Sequence, residues 1–327
     1  MSLSADQITI AITVYARRQY VKQAIASALA QTAQVWVMVV EDCGPDPTLE
    51  GFVKGEFGSR IEYVRNPRRR GLFGNWNACL ELCRTEWISI LHDDDFLAPN
   101  YVQAMISLSN EAPGRALYFG LTTAVDVHGS PIAEMAPVRL SRRWVDRGLS
   151  DVLYGPFLFP GHLFPVATAK RLGMFRETSF FCGDWEMWAK LLAERGGAQI
   201  NEEVAFVRDH GDPNKETNKI VRAGRQYPLT YVQHKRVLAL LPEGARMKFD
   251  RTQFVSRSPL PTRFLLRFGD SLRPRMLNYH LSLLQLCQAP HLRYAIFQQL
   301  ARLGGARFVR LMSRVWNIYR GDAARRG

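Results

Sequence analysis

Three places in this 327-residue chain set reactive side chains directly after a short apolar run. Thr13 and Tyr15 follow the first, Glu41 and Asp42 the second, and His92, Asp93, Asp94 and Asp95 the third. The Asp93-Asp94-Asp95 run carries the strongest chemical signal. Carboxylates this close repel one another, so the run needs a cation or hydrogen-bond donors. A hard divalent ion, Mg²⁺ or Mn²⁺, takes oxygen ligands and keeps open positions for diphosphate oxygens. Held there, it would neutralise a departing nucleoside diphosphate. The plainer reading is a capping cluster.

Asp42 suits a different task, because a carboxylate at a strand end can accept the imide N–H of a pyrimidine. Tyr15 offers a ring face on which a base can stack. Asp184, in Gly183-Asp184-Trp185, stands at the expected start of a helix, where an aspartate is commonly a cap. Transfer to a hydroxyl also needs a general base, and a carboxylate can serve. His210, in Arg208-Asp209-His210-Gly211, reads as a plain loop histidine, with phosphate donor or late metal ligand as the functional alternatives.

The elements that must position these groups follow from apolar periodicity. Residues 8–14 form a short apolar strand, followed by a helix with Tyr20, Ala24, Ala28 and Leu29 on one face. Residues 35–40 are a continuous apolar run, as suits a parallel strand covered on both faces. Asp46 and Pro47 then suit a helix cap and first turn. A strand over 61–64, a loop over 66–71, a helix over 75–83 and a strand over 87–91 come next. A further strand over 116–126 reaches a turn at His128-Gly129, with the chain from Pro131 as its partner, and a helix covers 185–193. Alternating strands and helices predict an α/β fold, a mostly parallel sheet with helices on both faces. In such sheets ligands bind beyond the carboxyl ends of the strands.

Composition narrows the class. Hydrophobic content of 47% and charged content of 22% are ordinary for a globular chain that buries a core. Five cysteines without a C-x-x-C pair argue against a disulfide scaffold or structural zinc and for a reducing compartment. The first residues carry no basic, apolar leader, and no window reaches the length a spanning helix needs. The expected location is therefore cytoplasmic, with peripheral attachment to the inner face of the cell membrane considered for the tail. Residues 251–327 contain 14 arginines, no lysine and two acids, so they hold nearly all of the +13 net charge. Arg307, Arg310 and Arg314 share one helical face, with Phe308, Met312, Val315, Trp316 and Tyr319 mostly on another. Such a helix either lies on an anionic membrane surface or packs its apolar side on the catalytic region.

In order and spacing these stretches resemble the family 2 glycosyltransferases, inverting enzymes of the glycosyltransferase A-type fold, from about Thr9 to Gly211. The resemblance places Thr13 and Tyr15 at the base, Asp42 at the uracil-binding aspartate, and Gly71 and Asn75 within the Asn-x-Gly...Asn segment. It places Asp93 beside the ribose, Asp94 on the metal and Asp184 as catalytic base. The chain departs from the family pattern at Ala16, where asparagine is usual, at Cys43-Gly44-Pro45, and at His92, which replaces the first acid of the metal motif.

The resemblance implies a catalytic domain over 1–215, its nucleotide half about 1–100 and its acceptor half about 101–215, with a basic, mainly helical extension over 216–327. It implies a nucleoside-diphosphate sugar donor, of UDP or dTDP type, and a saccharide or lipid-linked saccharide acceptor. Two other classes compete. A non-catalytic protein holding nucleic acid or another polyanion on its basic tail would bind in a salt-dependent way, but the tail lacks any nucleic-acid module signature. A nucleotidyltransferase would share the sheet and metal logic, but there is no glycine-rich phosphate loop near the N-terminus.

Overall fold

The computed structural model describes residues 3–154, 158–179, 182–210, 236–237, 239–240, 300–301 and 304–314. It divides into two compact units, 1–210 and 211–327. The first opens with β1 (Ile8–Val14), α1 (Arg18–Leu29), β2 (Trp36–Glu41), α2 (Leu49–Phe57), β3 (Glu62–Arg65), α3 (Gly71–Leu82) and β4 (Trp87–His92). It continues with β5 (Phe96–Leu97), α4 (Tyr101–Glu111), β6 (Leu117–Val125), β7 (Trp144–Arg147) and α5 (Leu149–Tyr154). β8 (His162–Pro165), α6 (Val166–Arg171), α7 (Gly183–Arg195) and β9 (Gly197–Arg208) complete it.

The sheet runs in the order β3-β2-β1-β4-β8-β6-β9-β5, with β7 paired to β9. Strands β1 to β4 pair in parallel, as strand and helix alternation requires. Beyond β4 the sheet is mixed: β8 runs antiparallel to β4 and β6, whereas β6 and β9 are parallel. Every residue of β1 is buried, because the strand lies centrally and both of its faces are covered. α1 buries Val21, Ala24, Ile25 and Ala28, spaced as one stripe of a 3.6-residue repeat. This corrects the expected face, since Tyr20 and Leu29 are only half-buried.

Local hydrogen bonding explains three further departures. Asp46 accepts the N–H of Thr48 at 2.9 Å in an Asx turn, so α2 starts at Leu49 rather than around Pro47. α3 starts at Gly71, four residues earlier than expected, because Asp42, arriving from β2, accepts the N–H of Gly71 at 2.8 Å. The chain from Pro131 pairs with β6 only through an isolated bridge to Val125, since proline has no N–H to continue a ladder. Gln31 ties the end of α1 to the start of α4 by donating to the Ala98 carbonyl and accepting the Val102 N–H.

In the second unit residues 304–314 are helical, with Arg307 and Arg314 exposed and Val309 and Ser313 buried. Val315, Trp316 and Tyr319, expected on its apolar face, lie outside the described residues, as do most of the tail arginines and Cys287. Among the described residues no helix is long and apolar enough to cross a membrane.

Candidate functional site

Register brings the three reactive strand ends to one level. Thr13 of β1 sits opposite Val40 of β2 and opposite His92 of β4, so Tyr15, Asp42 and Asp93 emerge side by side. Thr13 itself turns inward and donates its hydroxyl to the Leu91 carbonyl at 3.3 Å. Tyr15 is more than a third exposed, and the Arg69 guanidinium stacks 4.4 Å from its ring centroid. Arg69 escaped the sequence reading. The signal was present in the run Arg68-Arg69-Arg70, but only the fold sets it against Tyr15.

Glu41 and Asp42 divide the support of this rim. Glu41 is fully buried, ion-paired with Arg65, and accepts from the Tyr63 hydroxyl at 2.5 Å and from the Gly44 N–H at 2.9 Å. It draws Gly44 so close to Tyr15 that a Cβ there would stand 1.9 Å from the Tyr15 carbonyl oxygen. Asp42 accepts main-chain N–H groups from Arg70 at 2.6 Å and Gly71 at 2.8 Å, and the Asn66 amide at 3.3 Å. Its carboxylate thus sits at the positive end of α3. Gly71 holds φ +77°, a left-handed conformation that side chains disfavour. Asn75 accepts from Asn66 at 2.9 Å and donates to the Val40 carbonyl at 3.1 Å. Asp42, Gly71 and Asn75 therefore form one network binding the loop 66–71 to the end of β2.

The three consecutive aspartates are almost completely buried and point to different partners. Asp93 accepts from the Tyr15 N–H at 3.3 Å and from Arg17 at 3.0 Å. Asp94 lies 2.9 Å from His210 Nε2 and 3.6 Å from Arg17. Asp95 accepts the Arg208 N–H at 2.9 Å and lies 3.4 Å from His92 Nδ1. Burial, followed by the charge of Asp94, lifts both Asp93 and Asp95 above the ordinary carboxylate value. Burial opposes the charged form of His92, but Asp95's hydrogen bond and the neighbouring carboxylates outweigh it and hold the ring above its usual value.

His92, Asp94 and Asp95 bring one potential ligand atom each within 4.8 Å of one another, the one such metal-type cluster among the described residues. Nε2 of His92 is buried without a hydrogen-bond partner among the described residues. His210, expected as a plain loop histidine, instead joins the cluster through Asp94, its ring stacked 5.5 Å from Tyr20. Arg208 fixes the loop from below. Its guanidinium donates to the carbonyls of Asp94, Asp126 and Val127 and to the Gln23 amide oxygen.

Asp184 lies in the first turn of α7, half-buried. Cys182 enters the helix with φ +53°, and Gly183 packs so tightly on Phe73 that a Cβ would stand 2.4 Å from its ring. Burial pushes the Asp184 carboxyl up to about 6, and hydrogen bonds from the main-chain N–H groups of Asp184 and Trp185, then the charge of His92, act in the opposite direction. The charge of His92 is therefore within electrostatic reach of Asp184. Phe159 stacks on both Trp76 and His92, with centroids 4.2 and 4.4 Å away, and forms an aromatic wall there. Neither ring had been singled out from sequence, since aromatic residues at such positions read as ordinary core.

Comparison with known proteins bears on the family and the fold. The family model described as "Glycosyl transferase family 2" matches residues 9–130. An uncharacterized glycosyltransferase of Rickettsia felis is 26% identical over 195 residues, 59% of this chain and 32% of that protein. The succinoglycan biosynthesis protein ExoO of Rhizobium meliloti is 29% identical over 136 residues, 41% of this chain and 38% of that protein. The chain thus spans only about a third of the length of these curated relatives. Among solved structures, S. aureus TarS residues 1–349 in complex with UDP matches with a TM-score of 0.58 at 14% identity, covering 95% of this chain and 91% of that one. The same protein in complex with UDP-GlcNAc gives a TM-score of 0.59 at 14% identity and the same coverage.

Proposed function

We propose that the chain, whose residues 9–130 match the family 2 glycosyltransferase model, transfers a sugar from a nucleoside-diphosphate sugar to a hydroxyl of a saccharide or lipid-linked saccharide, with inversion. The catalytic region in this reading is 1–215, and 216–327 is an extension. The observation that carries the proposal is the convergence of Tyr15, Asp93, Asp94 and His92 at adjacent strand ends, with Asp184 within electrostatic reach of His92.

Tyr15 and Arg69 would offer planar faces for the base, and Asp42, which accepts three hydrogen bonds and keeps acceptor capacity for one more, would read an imide N–H. Thr13, Gly71 and Asn75 hold the strand end and loop that form this rim. Asp93 serves the ribose. The donor set of His92, Asp94 and Asp95, with an orphaned buried ring nitrogen, fits a divalent cation, and His210 stands ready as a further ligand on Asp94. Mg²⁺ or Mn²⁺ held there would neutralise charge on the leaving diphosphate. The nucleotide complexes of the structurally similar TarS support a UDP-type donor.

On the acceptor side Asp184 accepts the hydroxyl proton, the acceptor oxygen bonds to the anomeric carbon, and the bond from that carbon to the diphosphate oxygen breaks. A carboxyl near 6 suits this task, because it is mostly ionised at neutral pH yet basic enough to accept a proton. The residues of the tail helix, Arg307 and Arg314 exposed, suit an anionic membrane surface beside a lipid-linked acceptor. The test is a thermal-shift panel of UDP, dTDP, GDP and CDP with Mn²⁺ or with chelator. Stabilisation by one diphosphate in the presence of metal supports the reading, and no response to any of them overturns it.

A further inference from the structure

We propose that Arg65 is a positioning residue for the nucleotide base: together with Glu41 it clamps Gly44, and through Gly44 it sets the place of the Tyr15 ring. The proposal rests on the donor-site reading above.

The clamp follows from strand register. Glu41 ends β2 directly opposite Arg65 of β3, and Tyr63 lies two residues earlier on the same face of that strand. Arg65 divides its guanidinium between two acceptors. Nη1 donates to Glu41 Oε1, and Nη2 donates to the Gly44 carbonyl at 2.9 Å. The same Glu41 oxygen accepts the Gly44 N–H at 2.9 Å, so the pair grips both polar groups of one residue. Burial, followed by the bond to Glu41, lifts the Tyr63 hydroxyl well above its ordinary value, so it stays a donor to the other carboxylate oxygen.

The turn held by this clamp is one that needs holding. Cys43, between Asp42 and Gly44, has φ +50°, a left-handed conformation that side chains rarely adopt. The Asp42 N–H on the Val14 carbonyl at 2.8 Å anchors one end of the turn, and Arg65 with Glu41 anchors the other. Gly44 lies against the Tyr15 carbonyl, and a Cβ there would also meet Glu41 Oε1 at 3.1 Å. The Tyr15 main chain is thus fixed at its N–H by Asp93 and at its carbonyl by Gly44, while its ring is more than a third exposed. A ring so exposed takes its position from its main chain, and a shift of Gly44 moves the stacking surface with it. Lysine cannot do the work of Arg65, since one ammonium does not reproduce a planar fork that reaches a carboxylate and a carbonyl at once.

Arg65→Gln would leave the fully buried Glu41 charge unpaired and endanger the fold. Arg65→Lys keeps the charge and removes the fork, so it is the variant to use. The full chain, its Arg65→Lys and Tyr15→Ala variants and the double variant are titrated calorimetrically with Mn²⁺ alone, then with UDP in the presence of Mn²⁺. Tyr15→Ala should weaken UDP about tenfold, the scale of one lost base–aromatic stack. Arg65→Lys should weaken UDP about fivefold, the scale of a coupling between neighbours, and should leave Mn²⁺ affinity unchanged. Once Tyr15 is alanine, Arg65→Lys should cost nothing further. That non-additivity marks a residue acting through another, and a merely structural residue would not show it. If the two losses multiply, if Arg65→Lys leaves UDP binding unchanged, or if it weakens Mn²⁺ as well, the clamp is wrong while the donor-site reading stands. If the wild-type chain binds no UDP, or if Tyr15→Ala binds it as the wild type does, the donor-site reading fails and takes this proposal with it.

Discussion

Replacing Asp184 by asparagine should slow the proposed sugar transfer and stabilise the chain at once. Burial has lifted the carboxyl from 3.8 to about 6, so the folded state disfavours its charged form. Full burial would make that displacement worth about 3 kcal/mol. Asp184 is only half-buried, and solvent screening reduces the figure to about 1 to 2 kcal/mol. The penalty is absent below pH 3.8, where both states are protonated. It grows between 3.8 and 6, where the unfolded chain has lost a proton that the folded chain keeps, and is constant above 6. Asp184→Asn removes it, so the melting temperature at pH 7.5 should rise by roughly 2 to 8 °C and the difference should vanish near pH 4. Turnover should fall by roughly 10²- to 10⁴-fold, because asparagine accepts no proton. Wild-type kcat/KM should show an acid limb near pH 6 that the variant lacks. Differential scanning fluorimetry across pH and initial rates with the donor identified by the nucleotide panel measure both halves. A variant that is less stable at pH 7.5, or that loses nucleotide affinity, would refute the assignment of Asp184 to the acceptor side.

Three other outcomes follow from the same geometry. Asp94→Asn should abolish the metal dependence of nucleotide binding, removing the stabilisation of about 2.7 kcal/mol that a diphosphate at a hundredfold over its dissociation constant gives the wild type; thermal shift with and without chelator checks it. Gly44→Ala should drive the Tyr15 carbonyl out of place, costing about 1 to 3 kcal/mol and weakening UDP binding, as chemical denaturation and titration would register. The double variant Arg307→Gln, Arg314→Gln should co-sediment less with anionic liposomes at low salt, each exposed arginine contributing about 1 kcal/mol near the surface; unchanged sedimentation would count against a membrane role for this helix.

The sequence by itself determined the parallel half of the sheet and the three strand ends that carry reactive side chains. Both are local patterns. An apolar run such as 35–40 announces a covered strand wherever it packs, and a polar break after it announces the strand end. The Asp93-Asp94-Asp95 run was legible because like charges adjacent in sequence remain adjacent in space. What residues at a distance would do to these groups was settled only by tertiary structure. Asp42 starts α3 although 28 residues separate it from Arg70, and no propensity for the helix start at Gly71 lies in the local sequence. His210 reaches Asp94 across 116 residues, and Arg208 reaches Asp95 across 113. Both come from the end of β9, which the sheet order sets near the β4 loop through β5. Arg17, Arg69 and Phe159 gain their roles in the same way. Hydrophobic periodicity encodes which face of an element is buried, but a side chain's charge partner depends on how strands are ordered in the sheet, and that order is a property of the packed whole.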